Sequence, residues 1–367
     1  MKRSLLIIKK THLWLGLFTG PLVFVIALTG AIYSFQEEIQ NAIQPYRFYN
    51  KTNDKLLSPS ALKQIAASVN PQKKVHAVML YSDNHSSKVI FYEYEKYYDI
   101  VYLNPENGQV LSNQKAERGF FPFILDGHFY LWLPPEIGQP LVASVTLVFL
   151  FIVIFGLIIW WPKSGNKAQR FKIKWKSSWK RLNFDLHSVF GFYTLLFSFV
   201  FAITGLVWGF VWFKNTYFKL MSGGSQFIEY YEPVSLEKAD SLTQNIDKTF
   251  YFIKNKNPQY HYIEVHFPET QKGSLAVNVN TDEGTYWKTN YYYFDQKTLK
   301  DIAVDHYWGK LQTSSFAEKL MRMNYDIHTG AILGIPGKIL VFFMSLIIAS
   351  LPITGFIFYQ KKKKKRI

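Results

Sequence analysis

The stretch KTHLWLGLFTGPLVFVIALTGAIYSF, at residues 10–35, decides the fold of this chain. After its histidine it contains no charged residue, and its apolar run is as long as the roughly 20 residues that a membrane-spanning helix needs. Three further apolar segments of similar length follow, at residues 140–161, 188–213 and 337–359. The sequence therefore predicts an α-helical membrane protein with four transmembrane helices.

The first apolar segment could alternatively be a cleaved signal peptide. Its apolar run is longer than the core of a signal peptide, and no small-residue cleavage site follows it before Glu37 and Glu38. Its Thr-Gly pairs, at residues 19–20 and 29–30, are typical of positions where membrane helices pack together. We therefore expect a retained helix.

Basic residues are concentrated in three short segments, at residues 1–12, 162–181 and 361–367. Together these segments hold eighteen lysines and arginines and no acidic residue, whereas the rest of the chain is close to neutral. In a sequential array of four membrane helices all three segments lie on one side, and the positive-inside rule assigns that side to the cytoplasm. We therefore expect both termini in the cytoplasm and the two large connections on the opposite side.

Composition excludes several classes of function. The net charge of +16 could suggest nucleic-acid binding, but the excess lies beside the predicted membrane helices, where orientation and contact with anionic lipid explain it. We therefore expect a lipid bilayer and no nucleic acid as partner. The absence of cysteine excludes iron–sulfur clusters, covalently attached c-type haem and disulfides. A redox cofactor would have to be held by His or Met, or be a flavin or a quinone.

An internal repeat organises the chain. His12 is followed four residues later by a glycine and seventeen residues later by a Thr-Gly pair, and the same offsets follow His187. Each half continues with an external segment, an Asp-x-His sequence, a proline break and a second apolar helix. Each external segment combines one helical pattern with three strand-like runs. These patterns lie near residues 58–69, 75–81, 88–94 and 98–103, and near 241–256, 260–267, 274–280 and 287–294. The sequence therefore predicts two small α+β domains with antiparallel strands.

The apolar segments carry one histidine each, at one end. His12 and His187 begin the first and third segments, which both start on the cytoplasmic side. His128 and His328 precede the second and fourth segments, which both start on the outer side. The histidines are therefore expected to form an inner pair and an outer pair. Each pair could hold one haem iron through two neutral imidazole nitrogens.

Two glycines accompany the inner pair. Gly16 and Gly191 stand four residues after His12 and His187 and so share a helix face with them. Without side chains they would allow a flat macrocycle to lie against the backbone. A single histidine at a membrane interface is more often structural than a ligand. Four histidines at matched positions of a repeat instead favour haem ligation.

Other histidines and tyrosines offer weaker candidates. His261 and His266 are five residues apart on a predicted strand, so they should lie on opposite faces and make a poor metal site. The run Tyr291, Tyr292 and Tyr293 could stack on a bulky ligand, but alternating packing in a sheet is the simpler interpretation.

Five stretches of this chain carry a resemblance to a known family. They are KTHLWLGLFTGPLVFVIALTGAIYSF, VYLNPENGQVL at 101–111, FGLIIWWPK at 155–163, FDLHSVFGFYTLLFSFVFAITGL at 184–206 and IHTGAILGIPGKILVFFMSLIIASLPITGFIFYQ at 327–360. With them the chain resembles the PepSY-associated transmembrane family, also called iron-regulated membrane proteins, over nearly its whole length. It departs from the commonest family pattern at Leu13 and Ser188, which follow histidines where arginine is usual.

The resemblance implies a bacterial inner-membrane protein with two periplasmic PepSY-like domains. The expected order is transmembrane helix 1 at 1–37, the first periplasmic domain at 38–120, a histidine-bearing segment with helix 2 at 121–162, a cytoplasmic loop at 163–182, helix 3 at 183–214, the second periplasmic domain at 215–318, a histidine-bearing segment with helix 4 at 319–360, and a cytoplasmic tail at 361–367.

One branch of this family is similar to ferric-siderophore reductases that bind haem between four helices. The expected function is therefore electron transfer through two b-type haems. The donor would be a cytoplasmic reductase or a quinol, and the acceptor a periplasmic ferric siderophore or other ferric chelate. The alternative is a haem-free periplasmic sensor, anchored by four helices, that binds peptides or regulates a protease.

Overall fold

The structure, a computed structural model, describes residues 2–53, 55–161 and 170–363. Residues 163–169 of the predicted basic loop at 163–182 and residues 364–367 of the predicted basic tail lie outside the described residues. The chain divides into two compact units. The helical unit comprises the chain up to Gln36, Phe120–Tyr217 and the chain from Asn324 onward. The sheet unit comprises Glu37–Gly119 and Phe218–Met323.

The elements follow one another in an order that reflects the repeat. In the first half they are α1 (Lys2–Tyr33), α2 (Gln36–Ile43), α3 (Pro59–Val69), β1 (Val75–Tyr81), β2 (Ser87–Glu93), β3 (Tyr97–Leu103), β4 (Val110–Lys115), α4 (Phe120–Tyr130) and α5 (Pro135–Trp160). In the second half they are α6 (Trp179–Tyr193), α7 (Leu195–Gly209), α8 (Val211–Met221), α9 (Leu242–Lys256), β5 (Tyr262–His266), β6 (Leu275–Asn280), β7 (Asn290–Phe294), α10 (Phe316–Thr329) and α11 (Gly334–Lys363).

Long apolar helices dominate the helical unit. Among the described residues α1, α5 and α11 are each long and apolar enough to cross a membrane. The pair α6 and α7 passes the same test as one broken span, bent by 59°. The protein is therefore a membrane protein with three such helices, or four if the bent pair counts as one.

The bend in the third predicted span lies at Thr194, between α6 and α7. The sequence predicts one uninterrupted helix over 188–213, because nothing in that stretch is charged. The Thr194 side chain is fully buried, and its hydroxyl donates to the carbonyl of Phe190 at 2.8 Å. Such a bond back to the preceding turn competes with the main-chain ladder and often accompanies a bend in a helix.

Short helices lead into two of the membrane helices. Helix α4 precedes α5, and the chain turns between them through Leu131 and Trp132, which both adopt positive φ angles. Pro135 then begins α5 at a position where its missing N–H costs no helical hydrogen bond. Helix α10 precedes α11 in the same way, with the turn at Gly330 and a φ of 80°. These two turns place His128 and His328 on helices of their own.

The sheet unit contains one seven-stranded antiparallel sheet. Its strand order is β4-β3-β2-β1-β5-β6-β7. The helices and strands predicted in both external segments are present, each within a few residues of the expected bounds. The edge strand β4 is present in the structure but is not predicted from the sequence, because its sequence VLSNQK is mostly polar and lacks the alternation that marks a strand.

The two halves of the chain meet at the centre of this sheet. Strand β1 pairs with β5 in register from Ala77 opposite His266 to Tyr81 opposite Tyr262. Where the sequence predicts two small domains, the strands of both therefore form one continuous sheet within one compact unit.

The core of the sheet unit lies on one face of the sheet. Alternate strand residues such as Val78, Phe91 and Val277 pack there against α3 and α9, whose residues Leu62 and Phe250 are fully buried. This arrangement follows from the period of two in the strands and the apolar stripe of each helix. The residues between them point to the opposite face, which carries histidines, glutamates and tyrosines.

Candidate functional site

The inner histidines lie side by side in the helical unit. His12 of α1 and His187 of α6 have ring centroids 6.4 Å apart, with their ring planes at 78°. The expected inner pair is therefore present as a close contact between side chains that are 175 positions apart in the sequence.

The outer histidines are arranged in the same way. His128 of α4 and His328 of α10 have ring centroids 6.1 Å apart, with their planes at 64°. On α1, His128 contacts the carbonyl of Ile26, which is fourteen residues after His12. At 1.5 Å per helical residue the two pairs are therefore about 20 Å apart along the unit.

The centroid distances can be compared with the geometry of two imidazoles on one metal. An imidazole nitrogen binds a first-row transition metal at about 2.0–2.1 Å and lies about 1.1 Å from its ring centroid, so two opposed rings on one metal have centroids about 6.3 Å apart. The observed values of 6.4 and 6.1 Å lie on either side of this distance. The centroid spacing of both pairs is therefore the one expected for two imidazoles that share one metal ion.

Hydrogen bonds at Nδ1 set the tautomer of the four rings. In three of them Nδ1 lies near a main-chain carbonyl: His12 near Ile152 at 3.1 Å, His187 near Leu351 at 3.1 Å and His128 near Ile26 at 2.8 Å. Carbonyl oxygens only accept, so each Nδ1 carries the proton and donates. The Nε2 atom then keeps its lone pair, as a metal ligand requires.

His328 reaches the same state through a hydroxyl. Its Nδ1 lies 2.7 Å from the Thr204 Oγ1. That hydroxyl donates to the carbonyl of Val200 at 2.6 Å, so it accepts from the histidine. For all four rings Nε2 has no hydrogen-bond partner among the described residues.

A glycine on a neighbouring helix lies against each ring. The four pairs are His12 with Gly156, His187 with Gly355, His128 with Gly30 and His328 with Gly205. A side chain on a helix leans toward the helix N-terminus and covers the main-chain carbonyl of the preceding turn. Because glycine has no side chain, the carbonyl four residues before it stays open to a histidine ring. Three of the Nδ1 acceptors are that carbonyl: Ile152, Leu351 and Ile26.

Two buried asparagines repeat the pattern in the second half. Asn183 donates from Nδ2 to the carbonyl of Thr354 at 2.9 Å, and Asn324 donates to the carbonyl of Thr204 at 3.1 Å. Each stands four residues before a histidine, in the matched pentapeptides NFDLH and NYDIH. Each asparagine and its histidine therefore form hydrogen bonds to, or contact, the same Thr-Gly turn of a neighbouring helix.

The glycines predicted to accompany the inner pair have open space beside them. A Cβ built on Gly16 or Gly191 would meet no atom within 4 Å outside its own helix segment. The glycines that contact the rings are a different set, Gly30, Gly156, Gly205 and Gly355. In the sequence these four glycines stand at matched positions of the internal repeat, with no local signal that they contact a ring.

Histidines of the sheet unit form separate clusters. His266 lies beside His76 of the neighbouring strand β1, with ring centroids 5.0 Å apart. The sequence predicts that His261 and His266 lie apart, on opposite faces of a strand, and the structure places His261 near His85, at 5.9 Å between ring centroids. Among the described residues no group of three or more His, Asp or Glu side chains could hold a metal ion.

Comparison with known proteins identifies the family. The family model described as the PepSY-associated TM region matches residues 9–362, a range that contains both units and all four paired histidines. A comparison with curated proteins finds no match. The resemblance inferred from the sequence is thereby confirmed, and the chain belongs to the family of the PepSY-associated TM region.

Proposed function

We propose that this protein is a di-haem electron-transfer protein of the bacterial inner membrane. The observation that carries the proposal is the pair of bis-histidine geometries, with centroids 6.4 and 6.1 Å apart and the Nδ1 atoms engaged in hydrogen bonds. In this proposal His12 and His187 hold one b-type haem, and His128 and His328 hold the other.

The donor set favours haem over a bare metal ion. Each pair offers two imidazoles, and among the described residues no third His, Asp or Glu side chain joins either pair as a metal ligand. A metal held by two protein nitrogens needs further ligands, which a porphyrin supplies in its own plane. When bound, the haem iron would supply reversible one-electron chemistry.

The chain contributes orientation and burial to this chemistry. The carbonyl and hydroxyl acceptors at Nδ1 fix each ring and raise the basicity of its ligating nitrogen. The glycines permit the close approach of ring and helix that these hydrogen bonds require. Gly16 and Gly191 leave free space on the helix faces that carry the inner histidines, as a flat ligand there would need.

The charge asymmetry supports an orientation of the protein in the membrane. By the positive-inside rule, the basic segments favour a cytoplasmic location for the end of the helical unit near His12 and His187 and a periplasmic location for the sheet unit. We propose that electrons enter at the inner pair from a cytoplasmic reductase or a quinol. They leave at the outer pair to a ferric siderophore or another ferric chelate, which makes the protein a ferric-chelate reductase.

Visible spectra of the purified protein test the proposal. After expression with ample haem supply, the expected result is a reducible six-coordinate b-haem spectrum at about two haems per chain. His12→Ala and His187→Ala should each remove one haem, and the double variant should lose no more than either alone. His12→Ala combined with His328→Ala should lose both.

His261→Ala is the matched control, because it removes a histidine of the sheet unit and should leave the spectrum unchanged. Protein that contains no haem under these conditions contradicts the proposal and favours a haem-free sensor. A single substitution at His12 that removes both haems would contradict the assignment of one haem to each pair, because the two sites would then not be independent.

A further inference from the structure

The sheet unit contains a cavity that plays no part in the proposed electron transfer. It lies on the face of the sheet opposite α3 and α9 and has a volume of about 400 Å³. His76, His266 and Asn278 line it from neighbouring strands, and the segments around Glu232 and Glu269 border it. This volume falls within the range typical of small-molecule sites.

Aromatic rings form much of the cavity wall. Tyr291 and Tyr293 project from β7 on the same face, and Tyr230 and Trp308 join them from the flanking segments. Trp308 meets Tyr291 edge to face, at 5.4 Å between centroids. Tyr292 points to the core instead, so the tyrosine run both packs the sheet and lines a cavity. Ring faces of this kind attract cations.

The charged groups at the cavity wall are acidic or imidazole. Glu232 and Glu269 line the cavity, and no lysine or arginine is among the lining residues. Burial and then the charge of Glu269 raise the pKa of Glu232, as expected for two carboxylates that repel each other. Arg322 lies over Tyr291 at 5.3 Å, but it is bound to the carbonyls of Thr289, Tyr307 and Gly309 and does not line the cavity.

A buried hydroxyl at the cavity wall has no partner. Ser274 is 3 % exposed, and its Oγ makes no hydrogen bond to any described residue. A buried polar atom without a partner is costly in a native protein and indicates a missing ligand or water. Because a hydroxyl both donates and accepts, this group indicates a polar ligand without selecting the sign of its charge.

We propose that the cavity binds a small organic cation that carries an ammonium or guanidinium group. The cation would lie against the rings of Tyr291, Tyr293 and Trp308, with its charge toward Glu232 and Glu269. An anion would meet two carboxylates, and the only lining side chains that can carry a positive charge are His76 and His266, which already lie beside Glu269 and Glu264. A neutral ligand would leave the repulsion between the carboxylates in place.

Isothermal titration of the full-length protein in detergent tests this proposal with three probes of nearly equal shape. Benzylamine is cationic, benzyl alcohol is neutral and benzoate is anionic at neutral pH. We expect saturable binding of benzylamine at one site per chain, at least about tenfold tighter than benzyl alcohol, and no binding of benzoate.

Substitutions locate the site. Glu232→Gln and Ser274→Ala should each weaken benzylamine binding several-fold. Glu269→Gln should do the same, and its exposed side chain makes loss of folding less of a concern. Glu283→Gln is the matched control, because it neutralises an exposed carboxylate of the same unit outside the cavity.

Equal binding of all three probes would overturn the proposal, as would the absence of saturable benzylamine binding. The same conclusion follows if the Glu232→Gln, Glu269→Gln and Glu283→Gln variants bind benzylamine alike. Haem content is recorded in parallel, so that failure of this proposal is distinguished from failure of the proposed electron transfer.

Discussion

The glycines beside the four histidine rings leave unequal amounts of room, and alanine substitution should reveal the difference. A Cβ at position 30 would lie 2.9 Å from Cε1 and 3.2 Å from Nδ1 of His128. A Cβ at position 205 would lie 3.7 Å from Cε1 of His328, which is an ordinary contact. Gly30→Ala should therefore displace a ring, whereas Gly205→Ala should not.

The magnitude follows from three contributions. Relief of the short contact at position 30 costs about 1–3 kcal/mol as overpacking. Moving the ring also weakens its 2.8 Å hydrogen bond to Ile26, worth about 1 kcal/mol. Alanine in a helix gains about 1 kcal/mol over glycine. Gly30→Ala should thus lower the free energy of unfolding by about 1–3 kcal/mol, whereas Gly205→Ala should raise it by up to about 1 kcal/mol.

Thermal unfolding of the detergent-solubilised variants measures their order of stability, with haem content as a second readout. Gly156→Ala and Gly355→Ala, each with a closest contact of 3.3 Å, should fall between the two extremes. In Gly30→Ala the outer haem should be lost first. The reasoning is refuted if Gly30→Ala and Gly205→Ala melt at the same temperature, or if Gly205→Ala is the less stable variant.

Two further predictions concern hydrogen bonds and pH. Thr204→Val removes the acceptor of His328 Nδ1 and should weaken haem affinity at the outer pair about 10–100-fold. Thr354→Val should have a much smaller effect in a haem titration, because a carbonyl still accepts at the inner pair. In the sheet unit, burial lowers the pKa of His266, but the charge of Glu264, its hydrogen bond to the ring and the charge of Glu269 together raise the pKa above its ordinary value. Stability from this ion pair is fully present below about pH 6.5 and is lost as the pH rises through the raised pKa. His266→Gln should therefore lower the urea midpoint more at pH 6 than at pH 9, and an equal loss at both would contradict this assignment.

The sequence was sufficient to predict the helices and the histidine pairs for one physical reason. The length of the apolar segments predicts which helices cross the bilayer, and the basic residues beside them predict which helix ends face the cytoplasm. The grouping of the histidines into two pairs could therefore be inferred without any contact information. The bend at Thr194 could not be inferred, because a threonine hydroxyl bonded to the preceding turn does not by itself break a helix: Thr29 and Thr146 make the same bond within the unbroken helices α1 and α5.

The partners of the histidines were harder to find because they lie on other helices. Gly156 and Gly355 stand far from His12 and His187 in sequence, and no local spacing links a ring to the glycine beside it. The pentapeptides that end at His187 and His328 were a detectable signal, since their asparagines occupy equivalent positions. The contact of His76 with His266 depends on the pairing of β1 with β5, which belong to different halves of the chain. Main-chain hydrogen bonds form this pairing, so no side-chain pattern in the sequence predicts it.

The pairing of β1 with β5 has a consequence for the chain during its synthesis. Residues 82–261, roughly 180 residues, separate the two strands, and this stretch includes α5, α6 and α7. At about 5–20 residues per second, synthesis of that stretch takes on the order of 10–35 s. During that interval β1 has no neighbour on one side, and an open strand edge is a template for pairing with other chains. The time needed to synthesise the stretch between the two strands thus sets how long each newly made molecule is vulnerable to aggregation.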